Sequence, residues 1–297
     1  MGSVLELTDV KNKLEDLSGV ELKPGENPYD ALIDACHDNP KGQAEIQALY
    51  AAHRVRRNAQ QKDKFLDANF KELIIDPYLL RLENPHIEPG FKDTRYCAIQ
   101  KKLKDVAPDI WLMPQHRMHM TTIEVAFCRT PQEIEEIKTT LRPVIPIVAS
   151  YSYQHRARLV KPMVSYDLSA FAVSFLPVAG EPAVSPAPMA LDSAAIIKQG
   201  DRYSYHHLRR DMWDLARGAE VDIDSRYIVP SAHITLGRYL SHKDHSTPEQ
   251  RKKWVDAIDD INEWLESEVW GRSESEVIGE WVVGQEKGFD VRVGNLW

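Results

Sequence analysis

Two short segments of the chain carry the same pair of chemically useful side chains. One reads His119-Met120-Thr121 and the other His233-Ile234-Thr235. Side chains in an extended segment alternate faces, so a His and a Thr two residues apart point the same way. Each segment then offers one imidazole and one hydroxyl to a common surface. An imidazole gives or takes a proton near neutral pH, and a hydroxyl can hold a phosphate oxygen. Two such pairs facing each other would form an acid–base pair around one small anion.

The pattern His-x-Ser/Thr is weak alone, because the chain has 11 histidines, and a third match exists at His245-Ser246-Thr247. The flanks separate the three. Residues 119–127 are β-branched and apolar, and residues 231–240 read the same way. His245 sits in a polar loop instead. Thr247 is better explained as a helix cap, because Thr130-Pro131-Gln132-Glu133 and Thr247-Pro248-Glu249-Gln250 both read as helix starts. Ile134, Ile137 and Leu141 follow the first cap at helical spacing, and Trp254, Ile258, Ile261 and Leu265 follow the second. Strand-like segments come next in both halves: Arg158–Met163 and Phe171–Leu176, then Val277–Val283 and Phe289–Val293. The order of site strand, capped helix and two strands therefore repeats with a period of 114 residues. It predicts an α+β fold of two pseudo-repeated lobes. Each would be a small, mostly antiparallel sheet with helices outside, and the two would flank a central cleft.

On these residues the chain resembles the two-histidine (2H) phosphoesterase superfamily, which includes 2′-5′ RNA ligase-like proteins and cyclic-nucleotide phosphodiesterases. Pro230-Ser231-Ala232-His233-Ile234-Thr235-Leu236-Gly237-Arg238 is the closer match, and His119-Met120-Thr121-Thr122-Ile123 the looser one. The resemblance covers roughly residues 95–297. It implies metal-independent opening of a 2′,3′-cyclic phosphate on a nucleotide or RNA 3′ end. His119 and His233 would be the catalytic acid and base, with Thr121 and Thr235 binding phosphate. Neither a cofactor nor a metal is expected.

Further residues are candidates for lining the substrate. Tyr239 shares strand parity with His233 and Thr235 and could stack a base, with core packing the competing reading. Arg238 has the opposite parity; the family often has a basic residue there. Tyr153 and His155 lie in a polar aromatic run just before a lobe-one strand.

The domain reading is a helical N-terminal extension over 1–93 and a bilobal domain over 94–297, with lobe one at about 94–176 and lobe two at about 189–297. Thr94–Gln100 is expected as the first strand of lobe one. In the extension, helices are predicted from Asn27-Pro28 into Tyr29–Cys36 and over Lys41–Asp67. Arg54, Arg56, Arg57, Lys62 and Lys64 make a basic run that is either a phosphate patch or a solvated helix face. Pro85, Pro89 and Gly90 mark the break, and Pro177–Pro188 joins the lobes. Tyr203–Arg217 is a further helix, its core stripe Tyr205, Leu208, Met212 and Leu215.

Composition bounds the partners. The net charge is −8 over 297 residues, whereas long nucleic acid is held by net-basic surfaces. A small molecule or a chain end fits better than a long duplex. Cys36, Cys97 and Cys128 are widely spaced with no Cys-x-x-Cys, so neither a zinc ribbon nor a disulfide framework is indicated. The longest apolar stretch, Val144–Ala149, is too short to span a bilayer. Met1–Glu6 lacks a secretory pattern, so a cytoplasmic or nucleocytoplasmic protein is expected. The oligomeric state is not readable.

Three rivals stand beside the phosphodiesterase. A metal hydrolase is disfavoured, because His116 and His119 are three apart and face opposite sides of a strand. A non-catalytic binder of nucleotides or RNA ends would use the same pocket without turnover. A scaffold acting on a non-nucleotide small molecule would use the histidines for proton transfer elsewhere.

Overall fold

The computed structural model describes residues 15–22, 25–38, 40–82, 96–127, 129–185, 200–223, 228–275 and 277–294. The break at Pro85–Gly90, the boundary at 93/94, and the last residues, 186–188, of the expected lobe connection lie outside them.

The architecture is α+β, with a curled five-stranded antiparallel sheet. In chain order the main elements are α1 (Asp30–Asp34), α2 (Pro40–Leu66), α3 (Pro77–Leu82), α4 (Cys97–Val106), β1 (Ile110–Leu112), α5 (Pro131–Leu141), α6 (Ile145–Gln154), β2 (Ala157–Tyr166), β3 (Ala170–Pro177), α7 (Tyr205–Gly218), β4 (Ala232–Tyr239), α8 (Pro248–Trp264) and β5 (Glu280–Val283). The sheet order is β1-β4-β3-β2-β5. Strands from the two sequence halves therefore share one sheet among the described residues, rather than forming a sheet each. β4 enters between β1 and β3, and β5 pairs with β2.

The predicted helix starts form as capping boxes. The Glu133 N–H donates to Thr130 Oγ1 at 3.3 Å while the Thr130 N–H donates to the Glu133 carboxylate at 2.7 Å. Gln250 and Thr247 do the same at 3.2 and 3.0 Å. Each box satisfies two amide donors that a helix N-terminus leaves open.

Other expectations change. Thr94–Gln100 does not form a strand: residue 94 is outside the described set, and Cys97 begins α4. The reason is periodicity, since Cys97, Ile99, Gln100 and Leu103 are buried together at helical spacing. Phe289–Val293 pairs with no strand among the described residues; the Phe289 N–H donates instead to the Ala149 carbonyl at 2.9 Å. Residues 119–127 contribute a single antiparallel bridge, Met120 with Ile234. They are the broken continuation of β1, whose residues 110–112 pair with 239–237 of β4. Pro114 has no N–H to donate, and the chain swings out through a 3₁₀ turn, Gln115–Arg117, before returning to the same edge.

One face of the sheet packs on α8 and α4. Phe171, Val173, Phe175, Ile234 and Leu236 join Ile99, Leu103, Trp254 and Ile258 there, all at most 1% exposed. Leu32, Ile46, Tyr50 and Phe65 of the N-terminal helices belong to this same core. No helix among the described residues is long and apolar enough to cross a membrane.

Candidate active site

β4 carries His233 and Thr235, and its register fixes which way they point. His233 stands opposite Ser174, which stands opposite Met163. Thr235 stands opposite Ala172, which stands opposite Ser165. The row between them, Ile234–Val173–Val164, is fully buried in the core. Residues opposed across a ladder share a face, and neighbours along a strand alternate. His233 and Thr235 therefore lie on the face away from α8, together with small and polar side chains. All four motif side chains are part-exposed.

The Met120–Ile234 bridge extends this logic to the first motif. Met120 packs into the core with Ile234, so His119 and Thr121, on either side of it, turn to the face of His233 and Thr235. In antiparallel pairing about that bridge, His119 falls beside Thr235 and Thr121 beside His233. The two imidazoles are then diagonal neighbours, a relation that spans about 7–8 Å and is within reach of long side chains. Two rings so placed can grip one tetrahedral anion.

The ring nitrogens are oriented differently. His119 Nδ1 donates to the Arg117 carbonyl at 2.7 Å, which leaves Nε2 as the basic nitrogen of the neutral ring. His233 Nδ1 shares a 3.0 Å hydrogen bond with the Ser231 hydroxyl. His233 is pushed down to about 4, first by burial and then by the charge of Arg209, with His119 and His53 adding and Asp167 opposing. It is held neutral at physiological pH.

Arg238 and Tyr239 exchange the places that simple parity assigns them. Phe171 pairs with Gly237 but Ala172 pairs with Thr235, so Leu236 is an extra residue in β4. This β-bulge reverses the alternation beyond it. Tyr239 is 1% exposed, packed among Phe65, Phe171, Trp254 and His245. It does not line the histidine face. Arg238 does, opposite Trp111 and Ala170, with Asp76 at 3.9 Å. Gly237 permits the bulge, because a Cβ there would sit 2.3 Å from both the Phe171 ring and the Trp111 carbonyl.

Tyr153 and His155 stand elsewhere. Tyr153 is exposed on α6. His155 caps that helix, stacked on Tyr151 with ring centroids 3.9 Å apart and facing Tyr203. Tyr151 and Tyr203 both donate to Asp211, at 2.8 and 2.6 Å. A shallow hollow of about 430 Å³ beside them is lined by Val144, Tyr151, Asp211, Asp214, Leu215 and Gly218 and includes none of the four motif residues.

The basic run on α2 is divided. Arg54 is buried and donates to the Lys161 carbonyl at 2.7 Å, Arg57 meets Asp167 at 3.4 Å, and Lys62 meets Asp259 at 2.7 Å. The helix packs on β3 and β2, where Asn58 reaches the Met163 sulfur at 3.8 Å. The extension thus reaches the row that carries His233.

Sequence reasoning missed Arg209. Its signal was present: an arginine at helical spacing from Tyr205 and Met212, inside an apolar stripe. Among the described residues, no group of three or more His, Cys, Asp or Glu side chains converges as a metal site. The third pattern match, His245, is 1% exposed in the aromatic core. No family model matches the chain, and no curated protein or solved structure matches it.

Proposed function

We propose that the protein opens a cyclic phosphodiester, the 2′,3′-cyclic phosphate of a nucleotide or RNA 3′ end, by two-histidine acid–base catalysis. The observation that supports this reading is the Met120–Ile234 bridge: strand alternation about it would put both His-x-Thr pairs on one face. Water attacks phosphorus and one P–O bond to ribose breaks, leaving a phosphomonoester and a free hydroxyl. His233, held neutral, takes the proton of the attacking water. His119, as the acid of the pair, gives its Nε2 proton to the departing ribose oxygen, while its Nδ1–H stays on the Arg117 carbonyl. Attack and departure are roughly in line, which suits rings placed diagonally across the phosphate. Thr121 and Thr235 donate to the non-bridging oxygens, where charge builds up. Arg238 stands along the same strand face, where a second phosphate or a base edge would lie.

The test is hydrolysis of 2′,3′-cyclic mononucleotides and of a short RNA with a cyclic 3′ end, by wild type, His119→Ala and His233→Ala. The expected result is wild-type turnover with a bell-shaped pH profile, lost in both variants. Turnover that survives both substitutions overturns the mechanism. Tight binding without wild-type turnover identifies a non-catalytic binder.

A further inference from the structure

A charged side chain that no carboxylate among the described residues accompanies is buried beside the paired motifs. Arg209, on α7, is 1% exposed. Burying a guanidinium is costly unless its donors are all placed. Here Nε donates to the Thr122 carbonyl at 3.0 Å, one Nη to the Val229 carbonyl at 2.7 Å, and the other to the Tyr29 hydroxyl at 3.1 Å. The charged carbon lies 4.5 Å from the Tyr29 ring centroid and 6.0 Å from that of Tyr205. Among the described residues no carboxylate pairs with it.

The two carbonyls are not arbitrary. Thr122 is the residue after the first motif, and Val229 lies four residues before His233. One turn back on α7, the Tyr205 hydroxyl donates to the carbonyl of Thr121 itself at 3.0 Å. The first motif is short of ladder bonds, since it holds the sheet by one bridge. α7 supplies the restraint that the sheet does not. Tyr29 is fixed in turn, its carbonyl accepting from His206 Nε2 at 3.0 Å, and His206 Nδ1 meets the Tyr50 hydroxyl at 2.9 Å. The N-terminal helices are thereby tied to the motif segments.

We propose that Arg209 is the positioning residue of the two-histidine site: its planar guanidinium clasps the chain leaving the first motif to the chain entering the second, and its charge biases the enclosed face toward an oxyanion. This rests on the reading of that face as a phosphate site. The groups acting on His233 are Arg209 from α7, Asp167 from the β2–β3 turn, His53 from α2, and His119 from the first motif. Arg209 is the largest charged contributor. A planar fork with fixed donors is not replaced by a lysine, which keeps the charge only.

The experiment compares wild type, Arg209→Lys and Arg209→Met, each checked for folding by circular dichroism. NMR titration reads the His233 imidazole, inorganic phosphate titration reads anion affinity, and 2′,3′-cyclic nucleotide hydrolysis reads turnover. In folded Arg209→Met, the His233 titration should move up by about one pH unit or more, and phosphate affinity should fall about tenfold or more. In Arg209→Lys, His233 should titrate near the wild-type position while turnover falls about tenfold or more. A folded Met variant with unchanged His233 titration and phosphate affinity overturns the proposal. So does a Lys variant with wild-type turnover, which stays decisive if the Met variant does not fold. The His233 titration does not depend on turnover. A wild-type protein that hydrolyses no cyclic phosphate would overturn the catalytic reading and leave the clasp to be decided by that titration.

Discussion

The two His-x-Thr segments hold the same residues by different means. His233 and Thr235 lie within β4, laddered there to β3, with β1 pairing farther along the strand at 237–239, and are pinned by the fully buried Ile234. His119 and Thr121 hang from one bridge, a 3₁₀ turn, and the carbonyl contacts of Tyr205 and Arg209. The difference teaches that one half of the site is set by the sheet and the other by a helix. A ladder fixes orientation cooperatively, whereas isolated contacts leave a segment that local opening can reorganise at low cost. A substrate would then meet one rigid imidazole and one that settles as it binds.

The largest effect should come from the histidines themselves. His119→Ala and His233→Ala are each expected to lower kcat about 10²–10⁴-fold on a 2′,3′-cyclic nucleotide, measured at the wild-type pH optimum. Unequal losses would rank the two roles, and no loss in one would remove that segment from the chemistry. Next come the residues that anchor the motifs. Ile234→Ala empties a core position and should cost about 2–5 kcal/mol in urea denaturation. Met120→Ala, at a half-buried position, should cost about 1 kcal/mol. Equal losses would mean that the first segment is as firmly built as the second.

Gly237→Ala tests the bulge. The added Cβ meets the Phe171 ring and the Trp111 carbonyl, so about 1–3 kcal/mol of stability should be lost. Arg238, which the bulge turns toward the histidine face, should shift with it, so any turnover should fall as well. A neutral substitution would mean that the bulge relaxes without consequence.

A further effect is that of pH on stability. His53, His207, His233 and His245 are all pushed down from 6.5 to about 4, with burial as the leading cause. Above about pH 6.5 neither the folded nor the unfolded chain protonates them, and they cost nothing. Between about 6.5 and 4 the unfolded chain binds protons that the folded chain refuses, so stability falls as pH falls. Urea midpoints should decline across that window. A flat response from pH 7 to 4 would contradict the burial of these rings.

Much of this was legible because it is local. The Thr-Pro caps declare themselves through reciprocal bonds three residues apart, and Lys41–Asp67 announces Pro40–Leu66 by its spacing. The two His-x-Thr segments stood out because their flanks differ from those of His245. What was not legible depends on partners remote in sequence. Leu236 becomes a bulge only because β3 offers one residue where β4 offers two, and this moves Tyr239 into the core and Arg238 out of it. Thr94–Gln100 reads as a strand only while its window stops short of Leu103; with Leu103 included, Ile99 and Leu103 fall one helical turn apart and pack against α8. The interleaving of β4 and β5 with strands of the other half is likewise a tertiary choice that a repeat period does not encode.

The convergence of the two imidazoles on one anion is tested most directly by NMR of both histidine rings during titration with inorganic phosphate or a 2′-nucleotide. His119 and His233 should respond together with a single Kd, and the response of either should vanish in the other's alanine variant. Independent responses, or movement of one ring alone, would contradict a shared phosphate site.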